Sequence, residues 1–317
     1  MLKILYASDL HGSTLMFKKL TNAALIYGAH KVVIGGDIIG KGIVPVVRRE
    51  GGYEASIYGT KYKAKNDAEL QDLFNKISSF GFYPHVVEKE EELKALEAED
   101  FLDELIKKYS EQRLQEWAEF ARKKVEGKNI NFYMIPGNDD PYYVDNLIEK
   151  TGFFLNHNEK VMSLGQDSEE YSLVGYAKTN MTPWKCPRDV EEEVIRQELN
   201  SLMEKVPSYD RLLLNTHCPP YGTTLDLAPL LDKNLKPVVS GGGIAVTHVG
   251  CKSVREVIEK YQPLLGLHGH IHESRSIERI GRTVVVNAGS AYNESVLYAA
   301  IIVLNKGKLE NVSLIKG

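Results

Sequence analysis

Seven side chains of types that commonly ligate metal ions occur in five short segments of the 317-residue chain. They are two aspartates, four histidines and one asparagine: Asp9, His11, Asp37, Asn138, His217, His270 and His272. Residues two apart in an extended segment point to the same side, so Asp9 and His11 can aim at one ion, and His270 and His272 at two neighbouring ions. Such a set can hold two metal ions, and two-ion oxygen and nitrogen sites suit phosphoryl transfer.

Each of these segments follows an apolar run that is typical of a buried strand. The runs cover residues 2–7, 31–34, 131–135, 211–215 and 264–267. In open α/β sheets, ligands collect in the crevice beyond the carboxyl ends of the strands. The five segments are therefore predicted to meet in one crevice, where the glycines at 12, 36, 137 and 269 let the backbone turn tightly.

The remaining pattern predicts a mixed α/β fold. Apolar residues at helical spacing predict a helix over 16–27, which joins the first two strands as a parallel pair with a crossover connection. Further helices are predicted up to residue 149 and over 188–206 and 253–261, and a Pro- and Gly-rich loop over 218–250. Other strands are predicted at 153–155, 159–163, 171–175, 276–280, 283–286 and 296–303.

Residues 41–129 separate the second and third strands and are far too many for an ordinary connection. We expect an inserted, largely helical lobe. It begins with a Gly- and Tyr-rich stretch at 51–62 and becomes acidic over 88–104. One amphipathic helix is predicted from apolar residues at helical spacing: Leu102, Leu105, Tyr109, Trp117, Phe120 and Ala121.

Composition restricts the class of protein only loosely. The hydrophobic content of 43% and charged content of 26% are ordinary for a globular protein. A net charge of −4 disfavours nucleic acid as a general partner. No apolar run is long enough to span a membrane, and no signal peptide is evident. Three scattered cysteines, Cys186, Cys218 and Cys251, suggest a reducing compartment, so we expect a cytoplasmic protein.

The order of the five segments resembles that of the calcineurin-like metallophosphoesterases. That family's pattern of D-x-H, G-D-x-x-G, G-N-H-D/E, a lone His and G-H-x-H is matched in sequence by five pieces of this chain: Asp9-Leu10-His11, Gly36-Asp37-Ile38-Ile39-Gly40, Gly137-Asn138-Asp139-Asp140, His217 and Gly269-His270-Ile271-His272. The resemblance extends from residue 1 to about 290, apart from the 41–129 lobe. It implies one domain over 1–317, built as a four-layer α/β/β/α sandwich of two facing mixed sheets.

The resemblance also implies how the ligands divide between two divalent ions. Asp9, His11, Asp37 and His272 would hold one ion, and Asp37, Asn138, His217 and His270 the other. Asp37 would bridge them, and a hydroxide shared by both ions would attack phosphorus. Mixed imidazole and carboxylate ligands suit manganese, iron, zinc or nickel, and we favour manganese.

One position departs from the family pattern. The family has a histidine, thought to assist the leaving group, where this chain has Asp139. An aspartate beside dications should be ionised, so it would be a poor acid and would repel phosphate. His248 and His268 are candidates to replace the family's histidine as the acid. Asp139 and His248 are the two predicted catalytic residues. Esters with acidic leaving groups, such as aryl phosphodiesters, should then react faster than alkyl monoesters.

We therefore expect an enzyme that hydrolyses a phosphodiester or an activated phosphoester of small-molecule size. A metal-dependent nuclease is one alternative and would need a basic groove near the metals. A non-catalytic protein-interaction scaffold on the same fold is another, although scaffolds of this kind tend to lose ligands and all seven positions are filled here. The oligomeric state stays open.

Overall fold

Two six-stranded mixed sheets form the centre of the protein in a computed structural model that describes residues 1–165 and 170–317. The strands are β1 (Leu2–Ala7), β2 (Lys31–Ile34), β3 (Ile43–Arg49), β4 (Gly52–Ile57), β5 (Thr60–Ala64), β6 (Tyr83–Val87), β7 (Asn131–Met134), β8 (Phe154–Asn156), β9 (Val161–Ser163), β10 (Ser172–Tyr176), β11 (Thr179–Asn180), β12 (Asp189–Val190), β13 (Leu212–Thr216), β14 (Leu227–Pro229), β15 (Val239–Ser240), β16 (Gly243–Ile244), β17 (Val246–His248), β18 (Leu265–His268), β19 (Ser276–Ile280), β20 (Thr283–Asn287), β21 (Tyr298–Asn305) and β22 (Lys308–Lys316). The helices are α1 (Thr14–Ile26), α2 (Asp67–Ser79), α3 (Glu90–Ala95), α4 (Glu99–Lys124), α5 (Tyr143–Lys150), α6 (Glu192–Met203) and α7 (Lys252–Tyr261).

Four parallel strands lie within each large sheet. The first sheet has the order β22-β21-β1-β2-β7-β8, and β1, β2, β7 and β8 run parallel. The second has the order β19-β20-β18-β13-β10-β9, and β20, β18, β13 and β10 run parallel. Antiparallel strands complete both sheets. The predicted mixed α/β fold is confirmed, and the predicted strands and helices are found with shifts at their ends.

Strand β1 shows why the two sheets face each other. Its Leu2, Ile4 and Tyr6 pack in one core with Leu213 and Leu265 of the second sheet. Its alternate residues point the other way and pack with α1 and α4. The outer face of the second sheet is covered by α6 and α7 in the same manner. Because both faces are covered, the central strands are apolar throughout, as the sequence runs indicated.

The insertion contains helices, as predicted, and also a four-stranded sheet that was not predicted. Helix α4 carries the expected amphipathic residues, while the sheet has the order β5-β4-β3-β6. The apolar run of β3 (IVPVV) is interrupted by Pro45, which disfavours a central strand, and β4 and β5 are rich in polar residues. The insertion contacts the candidate ligand loops: Arg113 donates to the Gly12 carbonyl, and the Gly40 N–H donates to the Tyr83 hydroxyl at 2.8 Å.

Two further differences concern chain segments outside the insertion. Helix α6 begins at Glu192 and not at 188, because residues 189–190 form β12 beside β11. The long loop after residue 218 contains four short strands, β14 to β17, in two small sheets. Across the described residues, no helix has the length and apolarity needed to cross a membrane.

Candidate metal centre

The loops after β1, β2, β7, β13 and β18 converge at one edge of the two facing sheets and bring the seven predicted ligand residues together. The donor atoms fall into two groups, and within each group all the atoms lie within 4.8 Å of one another. Asp9, His11, Asp37 and His272 form one group, and Asp37, His217 and His270 form the other. The Oδ1 atom of Asn138 lies 3.2 Å from His217 Nε2 and so joins the second group.

Asp37 belongs to both groups through different oxygens. Its Oδ2 lies 3.5 Å from His11 Nε2, and its Oδ1 lies 3.4 Å from His217 Nε2. The Nε2 atoms of His11 and His272 are 3.1 Å apart. A single carboxylate that presents one oxygen to each of two donor groups has the arrangement of a bridging ligand, and the residues present therefore fit a pair of divalent ions.

The backbone at four of these residues has an unusual conformation. Asp9, His11, Asp37 and His270 have φ angles of 57°, 42°, 49° and 67°, in the left-handed region that non-glycine residues rarely adopt. Hydrogen bonds between the loops hold this conformation, from Asp9 N to the Gly36 carbonyl at 2.9 Å and from His11 N to the Asp37 carbonyl at 2.8 Å. Such local strain is concentrated at functional sites.

Two glycines allow the ligands to approach the neighbouring loops closely. A Cβ on Gly36 would lie 2.2 Å from His217 Nδ1, and a Cβ on Gly137 would lie 2.2 Å from Asp37 Oδ1. Neither residue could carry a side chain without displacing a ligand. The glycines of the G-D and G-N segments thus have a steric role beside the candidate ligands.

Neighbouring groups fix the orientation of two ligands. His217 donates from Nδ1 to the Gly35 carbonyl at 2.8 Å, which leaves Nε2 directed at the donor group. Asn138 donates from Nδ2 to Asp189 Oδ1 at 3.1 Å, which directs its Oδ1 the same way. Outer contacts of this kind select the ligand atom and raise its affinity for metal.

The Asp140 carboxylate organises the loops that carry Asp37 and Asn138. It accepts hydrogen bonds from the backbone N–H groups of Gly137 at 2.7 Å, Ile38 at 2.8 Å and Ile39 at 3.0 Å. Burial and the nearby Asp37 raise its pKa to about 7, while the three N–H donors oppose this. One buried side chain therefore fixes two ligand-bearing loops relative to each other.

The four candidate histidine ligands differ in protonation. Burial lowers the pKa of His217, but the Asp37 carboxylate outweighs it and raises the pKa to about 10. The contact with Asp9 raises the pKa of His272 against burial.

Burial lowers the pKa of His11 well below its ordinary value, and it lowers the pKa of His270 to about 3. Both imidazoles are therefore neutral near pH 7 and have a lone pair free for a metal. This is the protonation state that ligation requires.

Asp139 lies beside the ligands but is paired with a lysine. The Lys41 Nζ atom is 2.7 Å from Asp139 Oδ2, and the Cys186 thiol donates to Asp139 Oδ1 at 2.9 Å. Burial raises the pKa of Asp139, but the Lys41 ammonium and His11 outweigh it and hold the pKa well below the ordinary value. Asp139 is therefore an ionised group whose charge is balanced by Lys41.

The two other candidate acids lie apart from the ligands. His248, on β17, places Nδ1 2.7 Å from Asp226 Oδ1 and does not line the cavity described below. His268 is fully buried, with Nδ1 2.9 Å from the Thr216 hydroxyl. Burial lowers the pKa of His268 to about 4. The structure does not bring either imidazole to the ligand cluster.

The ligand cluster opens into a cavity of about 700 Å³. Polar residues of the candidate metal centre line it, together with two mainly apolar segments, residues 181–184 and 228–231, which form an apolar wall. Sequence reasoning missed Lys41, Cys186, Trp184 and Asp189, all of which contact the cavity or orient a ligand. No motif marks them, because Lys41 and the 184–189 segment meet only in the folded chain.

A two-sheet α/β fold with a clustered oxygen and nitrogen donor set fits the class of metal-dependent phosphoester hydrolases. A sequence profile described as calcineurin-like phosphoesterase matches residues 2–274, and the chain belongs to that family. It is a hydrolase family that acts on phosphoesters with the help of metal ions, so the predicted resemblance is confirmed.

Individual relatives are distant. An uncharacterized protein of Methanocaldococcus jannaschii is 36% identical over 155 residues, which are 48% of this chain and about 61% of the length of that relative. A solved structure from Thermus thermophilus is 13% identical, covers 100% of this chain and 98% of its own, and has a TM-score of 0.53. At that identity the likeness shows the fold alone.

Proposed function

We propose that the protein is a dinuclear metal-dependent phosphoesterase that hydrolyses a small phosphodiester or an activated phosphoester. The observation that carries the proposal is the Asp37 carboxylate, whose two oxygens face two separate donor groups. A structural ion-pair network does not need four histidines clustered around two aspartates, with the Nε2 atoms of His11 and His272 3.1 Å apart. A pair of metal ions accounts for this arrangement.

The proposed ligands divide as the resemblance implied. Asp9, His11, Asp37 and His272 would hold one ion, and Asp37, Asn138, His217 and His270 would hold the other. When bound, the two ions supply Lewis acidity and acidify water enough for it to act as a nucleophile near neutral pH. Manganese as the physiological ion and a cytoplasmic location stay predictions.

Lys41 and Asp139 have a proposed role at the phosphate. The ammonium of Lys41 lies in the same cavity as Asp37 and offers a positive charge to a phosphoryl group. Asp139 holds that ammonium in place at 2.7 Å. Ionised Asp139 is a poor proton donor, so the chain's own residues favour esters whose leaving groups need little protonation.

The charges around the cavity support a small-molecule substrate over nucleic acid. Among the described residues that line it, Lys41 is the one lysine, and no arginine is present. A nuclease must neutralise several backbone phosphates and needs a run of basic residues to do so. The proposed substrate therefore presents one phosphoryl group to the site.

The test compares purified wild-type protein with Asp37→Asn, with the exposed Asp72→Asn as a matched control. Elemental analysis after manganese loading should give two ions per wild-type chain and fewer in Asp37→Asn. A screen of phosphomonoesters, phosphodiesters, cyclic nucleotides and nucleic acids should then show manganese-dependent hydrolysis that Asp37→Asn loses and Asp72→Asn keeps. A wild-type protein that binds no ion after reconstitution would instead support a scaffold.

A further inference from the structure

The apolar wall of the cavity is built from side chains of two separate loops. Met181, Pro183 and Trp184 come from the loop between β11 and β12, and Leu230 and Leu231 follow β14. The indole of Trp184 is 63% exposed. A large aromatic side chain left this open at the mouth of a polar site offers a flat surface for stacking.

The polar side chains within this wall already have partners. Asn180 donates from Nδ2 to the Val249 carbonyl at 3.2 Å and accepts at Oδ1 from the Cys218 thiol at 3.1 Å. The Thr182 hydroxyl donates to the Asp189 carboxylate. These two side chains are therefore committed within the protein, and the residues of the wall that remain for a substrate are Met181, Pro183, Trp184, Leu230 and Leu231.

Both loops are held in place by hydrogen bonds. Asp189 Oδ2 accepts from Thr182 N at 3.0 Å and from Cys186 N at 2.9 Å, on either side of Trp184. On the other loop, Leu230 donates to the Ala245 carbonyl at 2.8 Å and accepts from Val238 N at 2.8 Å. The wall is therefore formed before any substrate arrives, which lowers the entropic cost of binding.

We infer that this wall binds the organic leaving group of the substrate and that this group carries an extended apolar aromatic ring system. The inference rests on the proposed function and names the substrate class of that site. The cavity is continuous from Asp37 to Trp184, so one molecule can place its phosphoryl group at the metals and its rings against the indole. Bulky aryl phosphoesters fit both ends, whereas short alkyl esters leave the wall exposed.

The first test uses two methyl aryl phosphodiesters with leaving groups of similar acidity, one phenyl and one 2-naphthyl. In the wild type, kcat/KM for the naphthyl ester should exceed that for the phenyl ester roughly tenfold, as the larger ring buries more apolar surface. Trp184→Ala should bring the ratio close to one, and Trp184→Phe should recover part of it. An unchanged ratio in Trp184→Ala would overturn the inference.

A pair of leucine variants provides the matched control. Leu230 and Leu235 are 41% and 46% exposed, but only Leu230 lines the cavity. Leu230→Ser should reduce the naphthyl-to-phenyl ratio, and Leu235→Ser should not. Equal effects of the two substitutions would show that general surface apolarity, not this wall, sets the preference.

The second test does not depend on catalysis. Calorimetric titration of manganese-loaded protein should show tighter binding of 2-naphthylmethylphosphonate than of methylphosphonate, and Trp184→Ala should reduce the difference. Adenosine 5′-monophosphate should bind more weakly than the naphthyl phosphonate, and the reverse order would overturn the apolar assignment. If the wild type hydrolyses neither these diesters nor any ester of the broader screen, the proposed function fails, while the phosphonate titration still decides this inference.

Discussion

Asp189 is expected to control metal binding although it is not a proposed ligand. Its Oδ1 accepts from Asn138 Nδ2 at 3.1 Å, and its Oδ2 accepts the backbone N–H groups of Thr182 and Cys186. In Asp189→Asn, the new amide nitrogen must take the Oδ1 position, because the Oδ2 position faces two N–H donors. Two NH₂ groups then face each other, and the Asn138 amide turns over to relieve the clash.

The size of the effect follows from that rotation. A turned Asn138 presents NH₂ instead of Oδ1 to the donor group of His217 and His270, so one ion loses a ligand. Loss of such outer support typically lowers metal affinity roughly 10- to 100-fold, which is about 1.4–2.7 kcal/mol. The other ion, whose proposed ligands do not include Asn138, should be affected much less.

Calorimetric titration of chelator-treated protein with manganese measures both affinities. The expected result is one weakened step and one nearly unchanged step. Thr179→Val is the matched control, because it removes the other side-chain donor to Asp189 Oδ1, at 3.1 Å, and leaves the Asn138 contact intact. Two unchanged binding steps in Asp189→Asn would refute the argument that Asp189 orients Asn138 as a ligand.

Two further predictions concern charge. Lys41→Met should lower kcat/KM for aryl phosphodiesters roughly tenfold or more, because it removes a charged hydrogen-bond donor and leaves the Asp139 charge unbalanced. The double variant Lys41→Met/Asp139→Asn should recover part of the loss. Unchanged steady-state rates in Lys41→Met would contradict the proposed role of Lys41 at the phosphate. His157 is buried, which lowers its pKa to about 3, so between pH 6.5 and 3 the unfolded chain binds a proton that the folded chain does not. The free energy of unfolding should thus fall as pH falls, by about 1.4 kcal/mol per unit from this residue. Urea unfolding of metal-free protein at pH 7 and pH 5 should show a loss about 2 kcal/mol smaller in His157→Gln, and equal losses would contradict the prediction.

The central sheets could be predicted because their strands are buried on both faces and read as continuous apolar runs. The ligand residues follow those runs directly, so their meeting at one edge was also predictable. Strands β3 and β6 each contain a proline, and β4, β5 and β22 are rich in polar residues. These strands therefore lack an uninterrupted apolar run, which explains why the sheet of the insertion and the last strand were missed.

The surroundings of the ligands could not be predicted in this way. Lys41 meets Asp139 across about a hundred residues of sequence, and Cys186 reaches the same carboxylate from a third loop. No periodicity links these positions, since the pairing depends on how three loops fold over one edge. The sequence therefore predicts repulsion between Asp139 and phosphate but does not reveal the Lys41 charge that balances it.

The loop between β11 and β12 combines a fixed frame with an open interior. The Asp189 carboxylate fastens both ends of the stretch from Thr182 to Cys186 and also supports Asn138. The side chains of Pro183 and Trp184 between those ends take no part in that fastening. Leaving-group preference can consequently be redesigned by exchanging these two residues while the frame, and with it the metal geometry, is retained.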